Sequence, residues 1–168
     1  MTNLTPSDKA LVPFVSVDHM MKLIHHIGLE TALSGLAGYI EADFRRWELF
    51  DKTPRVSEMT LLTALRTAAT SALVARVLAP KAATVMAMIG NGAQSEFQTL
   101  AMKAILGLEE VRLYDVDPAA TQKCAQNLQG HGLRVVTCTT AEDAMLGAQI
   151  ITTCTADKQY ATILTDNM

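Results

Sequence analysis

The sequence predicts an α/β fold with a parallel sheet, on three observations. The second half alternates short apolar runs with helix-forming segments. A Gly90-Asn91-Gly92 turn joins the first such run to a helix. The first half reads as helices alone. An order β-α-β-α-β-α-β places successive strands in one parallel sheet linked by right-handed crossovers.

Residues 1–15 are a polar lead-in broken by Pro6 and Pro13. A helix is predicted from about Ser16, with Val17, Met20, Met21, Ile24 and Ile27 at 3–4 spacing and Asp18 in the first turn, where the dipole favours an anion. Gly28 ends it. A second helix runs over about 29–50, with Leu33, Leu36, Ala37, Ile40, Phe44 and Trp47 as its apolar stripe. An Ala- and Leu-rich helix follows over about 58–79, stopped by Pro80. Strands are then predicted at 84–89, 110–114, 134–137 and 149–153, and helices at 93–106, 118–128 and 140–146. Pro118 suits the first turn of its helix and Asp117 its cap.

The chain has 168 residues, 49% of them apolar, with 14 Lys+Arg against 17 Asp+Glu and a net charge of −3. That hydrophobicity argues against disorder. The slight acidity argues against general nucleic-acid binding, which needs a basic excess to displace counterions. No apolar run approaches the roughly 18 residues of a membrane span, and no basic-then-apolar leader opens the chain. Cys124, Cys138 and Cys154 are odd in number and far apart, which fits a reducing, cytoplasmic setting better than a disulfide framework.

The strongest chemical signal is Gly90-Asn91-Gly92-Ala93-Gln94-Ser95, placed after a strand and before a helix. Gly90 permits the tight turn, Gly92 lets backbone approach a pyrophosphate, and the helix start supplies N–H groups and positive dipole. Ser95 replaces the third glycine of the dinucleotide fingerprint and is still small. Asp115, about twenty residues on at the end of the second strand, stands where a carboxylate binds a ribose 2′-hydroxyl and repels a 2′-phosphate, favouring NAD. A plain tight turn with a solvated acid, or a methyltransferase of similar architecture, remains the alternative reading of these residues.

The other polar residues carry less. His25 and His26 are adjacent and point apart on a helix, and His19 and His131 are isolated, so none forms a metal pair. Met86 and Met88 read as core, Cys154 as a buried thiol, and Arg45, Arg46 and Arg76 as solvated. Arg66 lies in Thr63-Ala64-Leu65-Arg66-Thr67-Ala68-Ala69-Thr70-Ser71 and needs an anionic partner if that small-residue face is buried. Arg55 is a weaker candidate of the same kind.

Four stretches together resemble the ornithine cyclodeaminase/mu-crystallin family: Phe50-Asp51-Lys52-Thr53-Pro54-Arg55-Val56, the Thr63–Ser71 run, Gly90-Asn91-Gly92-Ala93-Gln94-Ser95-Glu96-Phe97-Gln98, and Thr152-Thr153-Cys154-Thr155-Ala156-Asp157-Lys158. The resemblance implies a partial Rossmann domain at 80–168, joined by a connecting helix at 58–79 to a helical remnant of a substrate and dimerisation domain at 1–57. It implies NAD-dependent conversion of L-ornithine to L-proline and ammonia by transient hydride transfer, in a homodimer. Arg55 would hold the substrate carboxylate. Arg66 and Thr67 would bind the cofactor phosphates, with Gly90, Gly92, Ala93 and Gln94 as the phosphate loop. Asp115 would take the adenosine ribose, and Thr155 and Ala156 would line the cofactor.

The chain departs from the family pattern in two places. Ser57 runs directly into Glu58, where members carry several strands bearing substrate-binding residues, and the family's catalytic aspartate falls beyond Met168. These departures predict a chain that is incomplete for catalysis. Ketimine reductase or alanine dehydrogenase activity, or a non-catalytic NAD-binding role, are the alternatives. They also predict uncovered apolar surface around Ile40, Phe44 and Trp47, and hence self-association.

Overall fold

The computed structural model describes residues 16–49, 61–156 and 163–164. Helix α1 (Val17–Ile27) starts at Ser16, whose Oγ accepts from the His19 backbone N–H at 3.3 Å. It ends at Gly28, whose φ of +84° lets the chain turn directly into α2 (Leu29–Arg45). That helix stops earlier than the periodicity predicts. At Arg46 the backbone switches to i→i−3 bonding, Arg46 N to Asp43 O, and a 3-10 turn covers Trp47–Leu49. Helix α3 (Leu61–Leu78) buries Ala64, Leu65, Ala68, Ala69, Ala72 and Leu73. Its mean hydropathy of 1.4 over 18 residues makes it long and apolar enough to cross a bilayer, contrary to the expectation that no such run exists. Five leucines and two valines, with five alanines, raise the hydropathy of a helix that nevertheless packs between α2 and α4 and carries Arg66 and Arg76.

From Val85 the chain alternates as predicted: β1 (Val85–Ile89), α4 (Ser95–Leu106), β2 (Glu110–Tyr114), α5 (Pro118–Asn127), β3 (Arg134–Thr137), α6 (Ala141–Met145) and β4 (Ile150–Thr153). The four strands form one parallel sheet in the order β3-β2-β1-β4. Caps set the boundaries. Asp117 Oδ1 accepts from Ala119 N at 2.9 Å, and Thr140 Oγ1 from Asp143 N at 3.1 Å. Gly107, at φ +78°, closes α4 with its N–H on Lys103 O.

The pleat of β1 divides the core. Met86 and Met88 face the larger cluster with Leu65, Ala68, Ala101, Val111, Leu113 and Leu128. Ala87 and Ile89 face Ala144 and Met145 of α6. The sheet is thus a middle layer, and the period of two along β1 buries both faces. Hydroxyls on α3 are satisfied locally: Thr67, Thr70 and Ser71 each donate to the carbonyl four residues back, at 2.8, 2.9 and 3.1 Å. At the start of β2, Glu110 accepts from Arg112 Nε at 2.6 Å and from Arg134 at 2.7 Å, tying β2 to β3. The Arg112 hydrogen bond, above all, holds the Glu110 carboxyl below the usual carboxylate range.

Candidate functional site

The site begins where β1 ends. Gly90 has φ +86°, and a Cβ there would lie 2.8 Å from the carbonyl carbon of Cys154 and 2.9 Å from its oxygen and from Thr155 N. Only glycine meets both conditions. The consequence is that the loop after β1 and the chain after β4 touch backbone to backbone. β4 joins β1 on the side opposite β2, so this is the point where strand order reverses. Open parallel sheets bind ligands in the crevice at that point.

Beyond Gly90 the loop is locked by Ser95, which is fully buried. Its N–H and its hydroxyl both donate to Gly92 O, at 3.1 and 2.7 Å. Cys124 Sγ lies 3.4 Å from that hydroxyl. Serine in place of the third glycine therefore costs no space and adds a bond that closes the turn. Gly92 and Ala93 are exposed at the start of α4, where first-turn N–H groups have no intrahelical acceptor. Gln94 is half-buried beside them.

Asp115, at the end of β2, is held from two sides. Its Oδ2 accepts from Asn91 N at 2.6 Å and its Oδ1 from Asp117 N at 2.9 Å. Asn91 is itself buried and donates from Nδ2 to Thr121 Oγ1 on α5 at 3.0 Å. Next to this carboxylate, between β2, α5 and β3, lies a cavity of about 570 Å³ lined by Tyr114, Asp115, Thr121, Gln126, Thr137 and Thr139, among others.

The fold thus gathers Gly90, Gly92, Ala93, Gln94, Asp115, Thr155 and Ala156 at the carboxyl edge of β1, β2 and β4, with Thr155 and Ala156 exposed. Arg66 and Thr67 stand on α3, which packs against α4. Arg66 is exposed, so the buried anionic partner considered for it is not needed. Its helix turns the alanines inward and the guanidinium to solvent. Thr67 is half-buried with its hydroxyl on Thr63 O. Arg55 lies outside the described residues. Cys154 is half-buried rather than buried; burial pushes its thiol up, as it does those of Cys124 and Cys138, so none is an activated nucleophile. Sequence reasoning missed Asn91 and Thr121, whose contact spans thirty residues and leaves no local signal.

Strand order, glycine loop and terminal acid together define a Rossmann-type α/β domain. The sequence model of the ornithine cyclodeaminase/mu-crystallin family matches residues 56–168, and the chain belongs to that family. It is 50% identical to an ornithine cyclodeaminase of Brucella abortus biovar 1 (strain 9-941) over 221 positions, covering 98% of this chain and 62% of the relative. Since 98% of 168 residues is about 165, about 56 of the 221 aligned positions are filled by the relative alone. A gap of that size suits the block of strands expected after Ser57.

The chain is also similar to solved structures, two enzymes among them. A lysine cyclodeaminase studied for recognition of L-lysine, L-ornithine and L-2,4-diaminobutyric acid has TM-score 0.59 and 34% identity, over 64% of this chain and 31% of that one. The iminosuccinate reductase of Paracoccus denitrificans in complex with NAD+ has TM-score 0.54 and 36% identity, over 58% and 30%.

Proposed function

We propose that this chain is the cofactor-binding portion of an ornithine cyclodeaminase, which converts L-ornithine to L-proline and ammonia with NAD as a catalytic cofactor. The observation that carries the reading is the junction at Gly90. There a loop built for a pyrophosphate abuts the chain after β4, within one hydrogen bond of the acid that ends β2. The 50% identity to a named ornithine cyclodeaminase supports the substrate class.

The residues fit NAD. The N–H groups at the start of α4, with Gly92, Ala93 and Gln94, meet a pyrophosphate, and the exposed Arg66 guanidinium adds a charge-assisted partner. Thr67 reaches a phosphate by turning its hydroxyl from Thr63 O. Asp115 accepts from the adenosine ribose hydroxyls, and its charge disfavours a 2′-phosphate. Thr155 and Ala156 line the cofactor, and Arg55 holds the substrate carboxylate. The chemistry NAD supplies when bound is reversible hydride acceptance. The same reading places the chain in the cytoplasm, its three cysteines free, as a homodimer.

The substrate grip is the part in question, because about 56 positions of the relative have no counterpart here. Loss of a positioned acid or base alone slows a reaction by about 10²–10⁴-fold. The test is ammonia release from L-ornithine and NAD by the purified chain, assayed beside the Brucella abortus relative. The expected result is release at least about 10²-fold slower than the relative's. Release at the relative's rate would show that the absent block is dispensable. A second reading, reduction of an imino acid, rests on the likeness to iminosuccinate reductase; NADH oxidation with iminosuccinate and no ammonia from ornithine would favour it.

A further inference from the structure

Asp115 does not set its own position; a second pair of residues does. Asn91 lies between two glycines, where the backbone has the least intrinsic stiffness. Yet it is only 5% exposed, and its Nδ2 donates to Thr121 Oγ1, itself 7% exposed on α5. From that anchored residue the backbone N–H donates to Asp115 Oδ2, while Asp117 N–H fixes Oδ1 and Asp117 Oδ1 caps α5. Both carboxylate oxygens are therefore gripped, one from the glycine loop and one from the turn into α5. The Asn91–Thr121 bond closes this circuit between the two loops.

We propose that Asn91 and Thr121 are positioning residues that set the Asp115 carboxylate and with it the choice of NAD over NADP. The proposal rests on the reading of Asp115 as the ribose-binding acid. Removing the Thr121 hydroxyl leaves Asn91 Nδ2 a buried donor without an acceptor, beside an Oδ1 that already has no partner. A buried group in that state drives local rearrangement, because exposure to water becomes favourable. As Asn91 moves, its N–H leaves Asp115 Oδ2 and the carboxylate gains a rotamer. It then accepts less well from the ribose hydroxyls of NAD and stands less squarely where the 2′-phosphate of NADP goes. The two cofactors respond unequally, which a general loss of stability does not produce.

The experiment titrates the full chain and its Thr121→Val, Thr121→Ser and Asp115→Ser variants with NAD and NADP by calorimetry. Thr121→Val is expected to reduce the NAD-over-NADP affinity ratio by about 3–10-fold, the scale of one hydrogen bond. Thr121→Ser keeps the ratio, because it keeps the hydroxyl. If Thr121→Val does not fold, Thr121→Ala carries the same expectation. Exchange of the Asn91 amide proton reads the Asp115 bond directly and should quicken about 3–10-fold in either variant. An unchanged ratio in the threonine variants, with a ratio that collapses in Asp115→Ser, overturns the proposal and leaves the ribose reading intact. Equal weakening of both cofactors makes Thr121 merely structural and also overturns it. A ratio unchanged in Asp115→Ser removes the ribose reading, and this proposal with it.

Discussion

Gly90 is the residue on which the site turns. Its φ of +86° disfavours any L side chain, and a Cβ would press into the Cys154–Thr155 peptide. The left-handed strain of about 1–2 kcal/mol and the overpacking of about 1–3 kcal/mol both apply. Gly90→Ala is therefore expected to lose about 2–5 kcal/mol in urea unfolding and to open the β1–β4 junction. A variant as stable as the parent would show that the contact yields freely. The positions of Gly90 and Asp115 were legible in the sequence because they follow from local geometry: a turn after a strand, and an acid at the next strand's end. Asn91–Thr121 was not, since a contact across thirty residues has no local pattern. Nor was the exposure of Arg66. With Ala, Thr and Ser on every side of α3, no apolar stripe marks which face turns inward.

At the scale of elements, the strands and caps followed from periodicity and turn chemistry, whereas helix ends depended on neighbours. The stripe of α2 continues in sequence through Phe44 and Trp47, but burial does not. Leu33 and Ala37 are buried, while Phe44 is 49% and Trp47 43% exposed. Their rings lie 5.7 Å apart. Phe44 and the exposed Val74, Val77 and Leu78 of α3 line an apolar groove, which Glu41, bonded to Arg45 and Arg76, also lines. Exposed ion pairs of this kind contribute about 0–1 kcal/mol and do not bury apolar surface. The groove is expected to drive self-association. Sedimentation of the parent should show mass rising with concentration, and Val77→Lys should reduce that rise at least about tenfold in apparent affinity, the scale of about 1.4 kcal/mol. A parent that sediments as a monomer at every concentration contradicts the expectation.

At the scale of the whole molecule, a four-stranded parallel sheet with helices on both faces brings the glycine loop, the β2 acid and the β4 turn to one edge. Helices α2 and α3 pack on α4 and bring Leu33 and Leu65 into the core cluster of Met86 and Met88. The Rossmann-type domain that we propose holds the cofactor is thus formed, while the matched relative carries about 56 aligned positions that this chain does not. Cofactor binding and turnover are expected to separate in this protein. Calorimetric titration of the purified chain with NAD and with NADP tests this account most directly. It predicts saturable binding of NAD, tighter than NADP, with Asp115→Ser narrowing the difference. No binding of NAD, or equal affinity of the unmutated chain for the two cofactors, would contradict it.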